Sequence, residues 1–598
     1  MDRRLFLQMT AAAAAALPAG RATAALTESF TLRPGRIVPH DARADVSHLK
    51  LTVRWSGSVC RPTLTNTGAE PVSVKEVVLF EYKHSFPPDT ALYGESFQML
   101  SQTVGTLANP VTLGLGDGAH YRIPQPADAT TVTSLLTLSP PGKDHILLAY
   151  TSCRKFIGRF YLRAGSIEAV VDTEALTLAP GETWPLEEFT KLTGPDRNVL
   201  LATLAERLGT NHPSPMVKLE PTGWCSYYCF GTKATTDQVY ANLDTIAKTL
   251  PELRSIQIDD GYQPAMGDWL ELGPAFGGNI AAVLKQIRQR GLEPALWVAP
   301  FIAGSNSRVL AEHPDWFIHD AEGKPLPAAS VTFTGWGGGG WYALDGTHPA
   351  VQQHFTALFR TMRKDWGCTY FKLDANFWGA MHGGRLHDPK ATRIEAYRRG
   401  MEAVRRGTGD AFVLGCNHPI WPSLGLIHGS RSSGDIKRSW ATFRSRAQES
   451  LNRNWQNGRL WWNDPDAILL TGTLSENEHH FHATSAFASG GMILSGDDLT
   501  TITPGRLSML RKLLPPTRTA AIFDDATTME VGRTMLEGHL WLSLFNSSDL
   551  PKTISARLPR TMRVTDVWSG SNLGVIKGTL TLDDVPPHSA RLLRCVRV

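Results

Sequence analysis

The sequence predicts a multidomain α/β and β architecture: a central (β/α)8 TIM barrel flanked by an N-terminal β-sandwich and a C-terminal antiparallel β domain. Three observations predict it. Between residues 222 and 498 a short apolar, β-prone run ends abruptly in polar or acidic residues eight times. Before that segment, residues 25 to about 205 show short alternating runs without helical periodicity. After Leu514-Pro515-Pro516, short strands return. At 598 residues the chain is too long for a single core, so several domains are expected.

Residues 1–24 read as an export signal of twin-arginine type. Arg3-Arg4 precede Leu5-Phe6-Leu7, an alanine-rich run spans Ala11–Ala16, and Ala22-Thr23-Ala24 offers a small-residue cleavage site. The apolar run is too short to anchor well, so a soluble mature protein, periplasmic or extracellular and without a membrane segment, is expected. Residues 25–210 follow as the sandwich. Leu49–Trp55, Val72–Leu79, His145–Tyr150 and Ser166–Val171 alternate between turns rich in Gly, Pro, Asn and Asp. A proline-containing stretch, Thr210–Pro221, leads into the barrel, placed at residues 215–515.

The barrel runs are Thr222–Tyr227, Arg254–Tyr262, Glu293–Pro300, Cys368–Asn376, Ala411–Asn417, Gly425–Asp435, Leu460–Asp466 and Met492–Asp498. Helical spacing lies between them. Thr235 or Thr236 caps a segment with Val239, Leu243, Ile246 and Leu250 on one face. Ile280, Val283, Leu284 and Ile287 repeat the spacing, and Gly291 ends it. His539–Phe545, Thr561–Val567, Thr579–Leu582 and Ala590–Cys595 are the strands expected in residues 516–598.

Composition narrows the function. A formal charge of +4 with no basic stripe gives no support to nucleic-acid binding. The seven cysteines form neither a zinc pattern nor a disulfide framework. No D-x-D-x-D-G loop is present, and the glycine-rich Trp336–Trp341 lacks the lysine of a phosphate loop, so neither metal nor cofactor is expected. The 17 tryptophans suit both β-rich cores and the flat apolar faces of sugars.

The acids at the strand ends carry the chemistry, because a barrel of this kind works at the C-terminal ends of its strands. In YFKLDAN, strand alternation sends Lys372 and Asp374 to one side. A lysine there would keep Asp374 ionised, as a nucleophile must be. Asp435 closes the sixth run after a glycine, with Trp440 as a candidate apolar wall to raise its pKa. One ionised and one protonated carboxyl is what glycoside hydrolysis requires. The adjacent Asp259 and Asp260 repel each other and need a cation or sugar hydroxyls as donors.

Several motifs in fixed order carry a resemblance. IQIDDGYQ followed by GDW, LWVAPF, HPDW, YFKLDAN, LGCNHP and NDPD resembles bacterial α-galactosidases (melibiase-like) of glycoside hydrolase family 36, over residues 221 to 516. The resemblance implies a retaining double displacement on a carbohydrate with terminal α-galactose. Asp374 would be the nucleophile and Asp435 the general acid/base. It also implies that Asp259 and Asp260 grip the sugar hydroxyls, Lys372 bonds them near the nucleophile, and Trp297 lines the pocket. Cys416 would lie beside the 2-hydroxyl, and Trp269 would close the pocket. Relatives often associate, so a homo-oligomer is among the expectations. Two departures stand out. WGGGGWYALD has no arginine before Asp345 where the family carries one, and SSGD is followed by Ile436-Lys437. Alternatives to α-galactosidase are α-N-acetylgalactosaminidase, a raffinose-synthase-like transglycosidase and a non-catalytic sugar-binding relative.

Overall fold

The structure is a computed structural model describing residues 30–336 and 340–598. The expected export signal lies outside the described residues. Eight parallel strands form the central sheet: β1 (Thr222–Cys225), β2 (Ser255–Ile258), β3 (Glu293–Val298), β4 (Tyr370–Leu373), β5 (Phe412–Gly415), β6 (Gly429–Arg431), β7 (Trp462–Asp464) and β8 (Ile493–Ser495). Each falls inside one of the acid-tipped runs. Every strand pairs with its sequence neighbour from β1 to β7, and β8 pairs with β1. The ring is nearly closed. Between β7 and β8, Met492 donates its amide to the Asn463 carbonyl at 2.8 Å, and Ile468 bridges Ser495. A side chain on Gly491 would lie 2.1 Å from that carbonyl, so glycine lets the two ends meet. The barrel strands are buried almost throughout, as expected where both faces of a parallel sheet are covered.

Helices between the strands follow their apolar spacing. Thr236–Thr249 is capped by Thr235, which exchanges hydrogen bonds with Gln238, and it buries Val239, Leu243 and Ile246. Ile280–Gln289 buries Ile280, Val283, Leu284 and Ile287 against the barrel.

The N-terminal region is two antiparallel sheets of five and nine strands over their own apolar core. One element departs from the all-β expectation. Arg197–Asn211 is a helix, capped by Asp196, that buries Leu200, Leu201, Leu204 and Leu208. Those leucines recur at helical spacing within a stretch otherwise rich in polar residues, so tertiary burial of one stripe decides the state. The helix shares the barrel's core with Tyr93, Phe97 and Met99 of the N-terminal region and Trp568 of a turn in the C-terminal region. Buried ions reinforce this junction. Arg453 pairs with Glu95 at 2.7 Å, the two side chains being 1% and 0% exposed.

The C-terminal region is a six-stranded and a two-stranded antiparallel sheet. Its last strand, Ser589–Arg597, packs on the helix Glu476–Ser489, which is buried on nearly all sides. No helix among the described residues is long and apolar enough to cross a membrane.

Candidate active site

A cavity of about 570 Å³ opens at the C-terminal ends of the barrel strands. Asp259 and Asp260 enter it from the end of β2, Trp297 from β3, and Lys372 and Asp374 from β4. Cys416 follows β5, and Asp435 follows β6. The tips of these strands converge because a barrel points all its C-terminal ends to one face. A larger cavity, about 1010 Å³, lies between the sandwich and residues 381–393. It holds none of these groups, and much of its charge is already paired, as in Arg159–Asp172 at 2.6 Å and Arg163–Glu168 at 2.5 Å.

Asp259 is the most heavily bonded acid of the floor. It accepts from Lys372 Nζ at 3.0 Å and Gln257 Nε2 at 2.6 Å, and the Cys225 thiol lies 3.7 Å away. Its neighbour Asp260 accepts from Gln263 at 2.7 Å. Burial, then Asp259 and Asp374, push the Asp260 carboxyl up, while hydrogen bonds from Gln263 and Trp336 oppose the rise.

Lys372 lowers the Asp374 carboxyl, as strand alternation led one to expect, but burial outweighs it and the carboxyl is raised overall. Lys372 forms its ion pair with Asp259 and acts on Asp374 only through space. Asp374 is instead oriented by the Trp297 indole, which donates to Oδ2 at 3.2 Å, and by the Ala375 amide, at 2.6 Å from Oδ1. Ala375 holds φ at 51°, a left-handed conformation that a residue with a Cβ adopts only when its surroundings enforce it. Burial pushes the Asp374 carboxyl up, Lys372 lowers it, and Asp435 raises it again.

Asp435 departs from expectation in the other direction. Burial opposes its charge, but Arg431, with Nη2 3.0 Å from Oδ1, holds the carboxyl below its ordinary value, aided by Lys372. Asp435 lies within the molecular envelope, yet its side chain is 63% exposed, because it faces the open cavity. Trp440 is no wall for it. That ring stacks on His588 at 4.1 Å and meets Phe481 at 4.8 Å, because it begins the helix Trp440–Asn452 and turns toward the C-terminal domain. Trp269 is also displaced from its expected place. It is 2% exposed and packs edge-on to Trp297 at 5.8 Å, so it backs the pocket wall without lining it.

The acids of the seventh and eighth runs do not line the cavity. Asp466 grips Arg431 at 2.7 Å and accepts from the Tyr228 hydroxyl at 2.5 Å and the Ile436 amide at 2.8 Å. It therefore aims the guanidinium that meets Asp435. Asp464 accepts from the Asp466 amide at 2.9 Å and is pushed up to about 6 by burial. Asp497 ties Arg438 to Leu470 and Thr471, and Asp498 holds Asn242 and Thr500. These are supports for the loops that carry the site.

Comparison with known proteins finds similar sequences and similar folds. The melibiase family model matches residues 256–402. The chain carries a melibiase domain. An α-galactosidase, AgaA, of Geobacillus stearothermophilus is 31% identical over 162 residues, 26% of this chain and 21% of that protein. An A type blood α-D-galactosamine galactosaminidase of Flavonifractor plautii is 26% identical over 216 residues, 34% of this chain and 19% of that protein. The chain spans about a fifth of the length of these curated relatives. Among solved structures, the Thermus thermophilus α-galactosidase TtGalA with p-nitrophenyl α-D-galactopyranoside superposes with a TM-score of 0.62 at 22% identity, over 82% of this chain and 98% of that one. A glycoside hydrolase family 36 AgaA variant with raffinose gives 0.65 at 13% identity, over 95% and 87%. At these identities the structures establish a shared fold, a barrel with β domains.

The melibiase match includes Asp259, Asp260, Trp297, Lys372 and Asp374 but stops short of Cys416 and Asp435. The rest of the cavity is recruited from elsewhere. Tyr227 and Tyr228 follow β1, Lys437 and Arg446 follow β6, and Leu100, Gly114 and Leu115 come from the N-terminal sandwich. Sequence reasoning missed these as site residues, although Tyr227 ends the first run and Tyr228 follows it directly. The sandwich residues carry no local signal, since only the packing of one domain on another brings them there. In the glycine-rich segment lacking the family arginine, Trp336 lines the cavity and meets Trp341 at 4.4 Å.

Proposed function

We propose that the protein is a retaining exo-glycosidase that hydrolyses terminal α-linked galactose from oligosaccharides, polysaccharides or glycans. The observation that carries this reading is a single cavity shared by Asp374 and Asp435, with the Asp259–Lys372 pair on its floor. Asp374 attacks the anomeric carbon as the C–O bond to the leaving group breaks. Asp435 gives its proton to the departing oxygen. Water then attacks the galactosyl–Asp374 ester, Asp435 takes the water's proton, and the configuration at carbon is retained. The hydrogen bonds from Trp297 and Ala375 hold Asp374 for attack.

In the free protein Asp435 is held low by Arg431 and Asp374 is pushed up by burial. Substrate entry removes water from the exposed Asp435 and raises its pKa, which favours passage of the proton to the group that must donate it. Galactose is preferred over its 2-acetamido relative as substrate. The resemblance sets the 2-hydroxyl at Cys416, and Cys416, Asn417 and His418 are 3%, 8% and 0% exposed. Arg431 Nη1 stands 3.8 Å from the Cys416 sulfur, and Tyr121 bonds Asn417. That leaves little room for an acetamido group. Export through the signal at residues 1–24 is part of the same proposal.

The purified protein is expected to release nitrophenol from p-nitrophenyl α-galactoside. Asp374→Ala should lower kcat on the order of 10⁴-fold or more. Asp435→Ala should lose far less on this activated leaving group than on an unactivated disaccharide. Turnover of the N-acetylgalactosaminide alone would overturn the galactose assignment.

A further inference from the structure

The cavity is graded from floor to mouth. Asp259 and Lys372 on the floor are 4% and 5% exposed, whereas the Asp435 side chain is 63% exposed. On the galactosidase reading, on which this inference rests, the terminal sugar fills the floor. The group being cut away therefore extends through the mouth, and the residues there sort one leaving group from another.

The mouth combines two chemistries. Leu115 and Tyr227 are 43% and 36% exposed, a high exposure for large apolar side chains in a cavity lining. The Tyr227 ring offers a flat apolar face of the kind that covers a sugar or aromatic ring, and Leu115 adds aliphatic surface. Beside them are two cations, Lys437 and Arg446. Arg446 is already committed. Its Nη1 donates to Glu449 at 2.5 Å and its Nε to the Asp435 carbonyl at 3.1 Å. Gly434 makes room for it, since a Cβ there would lie 2.7 Å from the guanidinium carbon.

Lys437 differs. It is exposed, and among the described residues lining the cavity it is the cation that no ion pair neutralises. The cations that lower Asp435 most are Arg431, Lys372 and Arg446, so Lys437 is not needed to set the reacting acid. A lysine ammonium is a compact charge with three donors on a flexible stem, suited to meeting an anion at variable distance.

We propose that the mouth selects α-galactosides whose leaving group carries a carboxylate on a flat-faced ring, as in a uronic acid, with Lys437 as the specificity-determining residue. The apolar rim takes the ring and the ammonium takes the charge.

The test compares kcat/KM for phenyl and para-carboxyphenyl α-galactoside in the wild type, Lys437→Met and Lys437→Arg. For each protein the anionic value is divided by the neutral one. Comparing that ratio between wild type and variant cancels the intrinsic reactivity of the two leaving groups. The wild-type ratio should exceed that of Lys437→Met about fivefold at low ionic strength, should be kept by Lys437→Arg, and should fall toward the Lys437→Met ratio in high salt. Equal ratios in wild type and Lys437→Met at low salt, with both substrates hydrolysed, would overturn this inference and leave the glycosidase assignment standing. If the wild type hydrolyses neither compound, the protein is not a galactosidase and the inference falls with that assignment.

Discussion

At Asp435 one carboxylate answers to two demands: it faces open cavity, yet it sits 3.0 Å from a buried guanidinium. Arg431 is 1% exposed and is itself held by Asp466 at 2.7 Å. On the proposed mechanism Asp435 must be protonated to start the reaction, so its ionisation governs the alkaline limb of the kcat/KM profile. Removing the cation raises the pKa of the carboxyl. Arg431→Met is therefore expected to move that limb to higher pH and to lower kcat. Because Asp374 and Asp435 act on each other, the limbs report the pair and not either acid alone. A limb that stays in place would show that Arg431 does not tune the acid. Loss of Arg431 also strands Asp466, at a stability cost of about 3 kcal/mol.

At the scale of elements, the site depends on how the sandwich docks on the barrel. The strand Ala91–Glu95 and the hairpin Ser101–Gly105 with Pro110–Gly114 deliver Leu100 and Leu115 to the cavity. Glu95 anchors this region. It takes two nitrogens of Arg453, at 2.7 and 3.2 Å, and receives Gln456 and the Tyr93 hydroxyl. Glu95→Ala should destabilise the protein by about 3 kcal/mol, seen as a lower urea midpoint, because a buried cation loses its partner. Backbone carbonyls of Met99, Ser101 and Ser432 still receive the guanidinium, which keeps the cost from being larger. The barrel strands and their helices were legible in the sequence, since each rests on its own apolar period. The helix Arg197–Asn211 was not, because its leucine stripe matters only once the barrel and sandwich cover it.

Over the whole molecule, buried carboxyls make stability depend on pH. Burial pushes Asp464 from 3.8 to about 6 and Glu174 from 4.5 to about 7. Each binds its proton more tightly folded than unfolded. Their contribution is therefore fully present below about pH 4 and is lost as pH rises through these folded values. Asp464→Asn and Glu174→Gln should each flatten the fall of Tm between about pH 4 and 7, removing on the order of 2 kcal/mol of pH-dependent stability. An unchanged slope in calorimetry would refute the assignment. The two acids that share the cavity were legible because a barrel strand must end at that face, and Asp374 and Asp435 follow two such strands. Their electrostatics were not. Lys372 stands two residues from Asp374 in sequence but reaches across to Asp259, and Arg431 is one helical turn's length of chain from Asp435 yet sets its charge.

The sequence by itself determined the barrel, its flanking β regions and which acids stand at the strand ends, because alternation and apolar period are local properties that report burial directly. Only the tertiary structure decided which cation pairs with which acid, that Trp269 and Trp440 turn away from the cavity, and that the sandwich supplies part of its rim. Those outcomes depend on distances between residues far apart in the chain, and no local pattern encodes such distances.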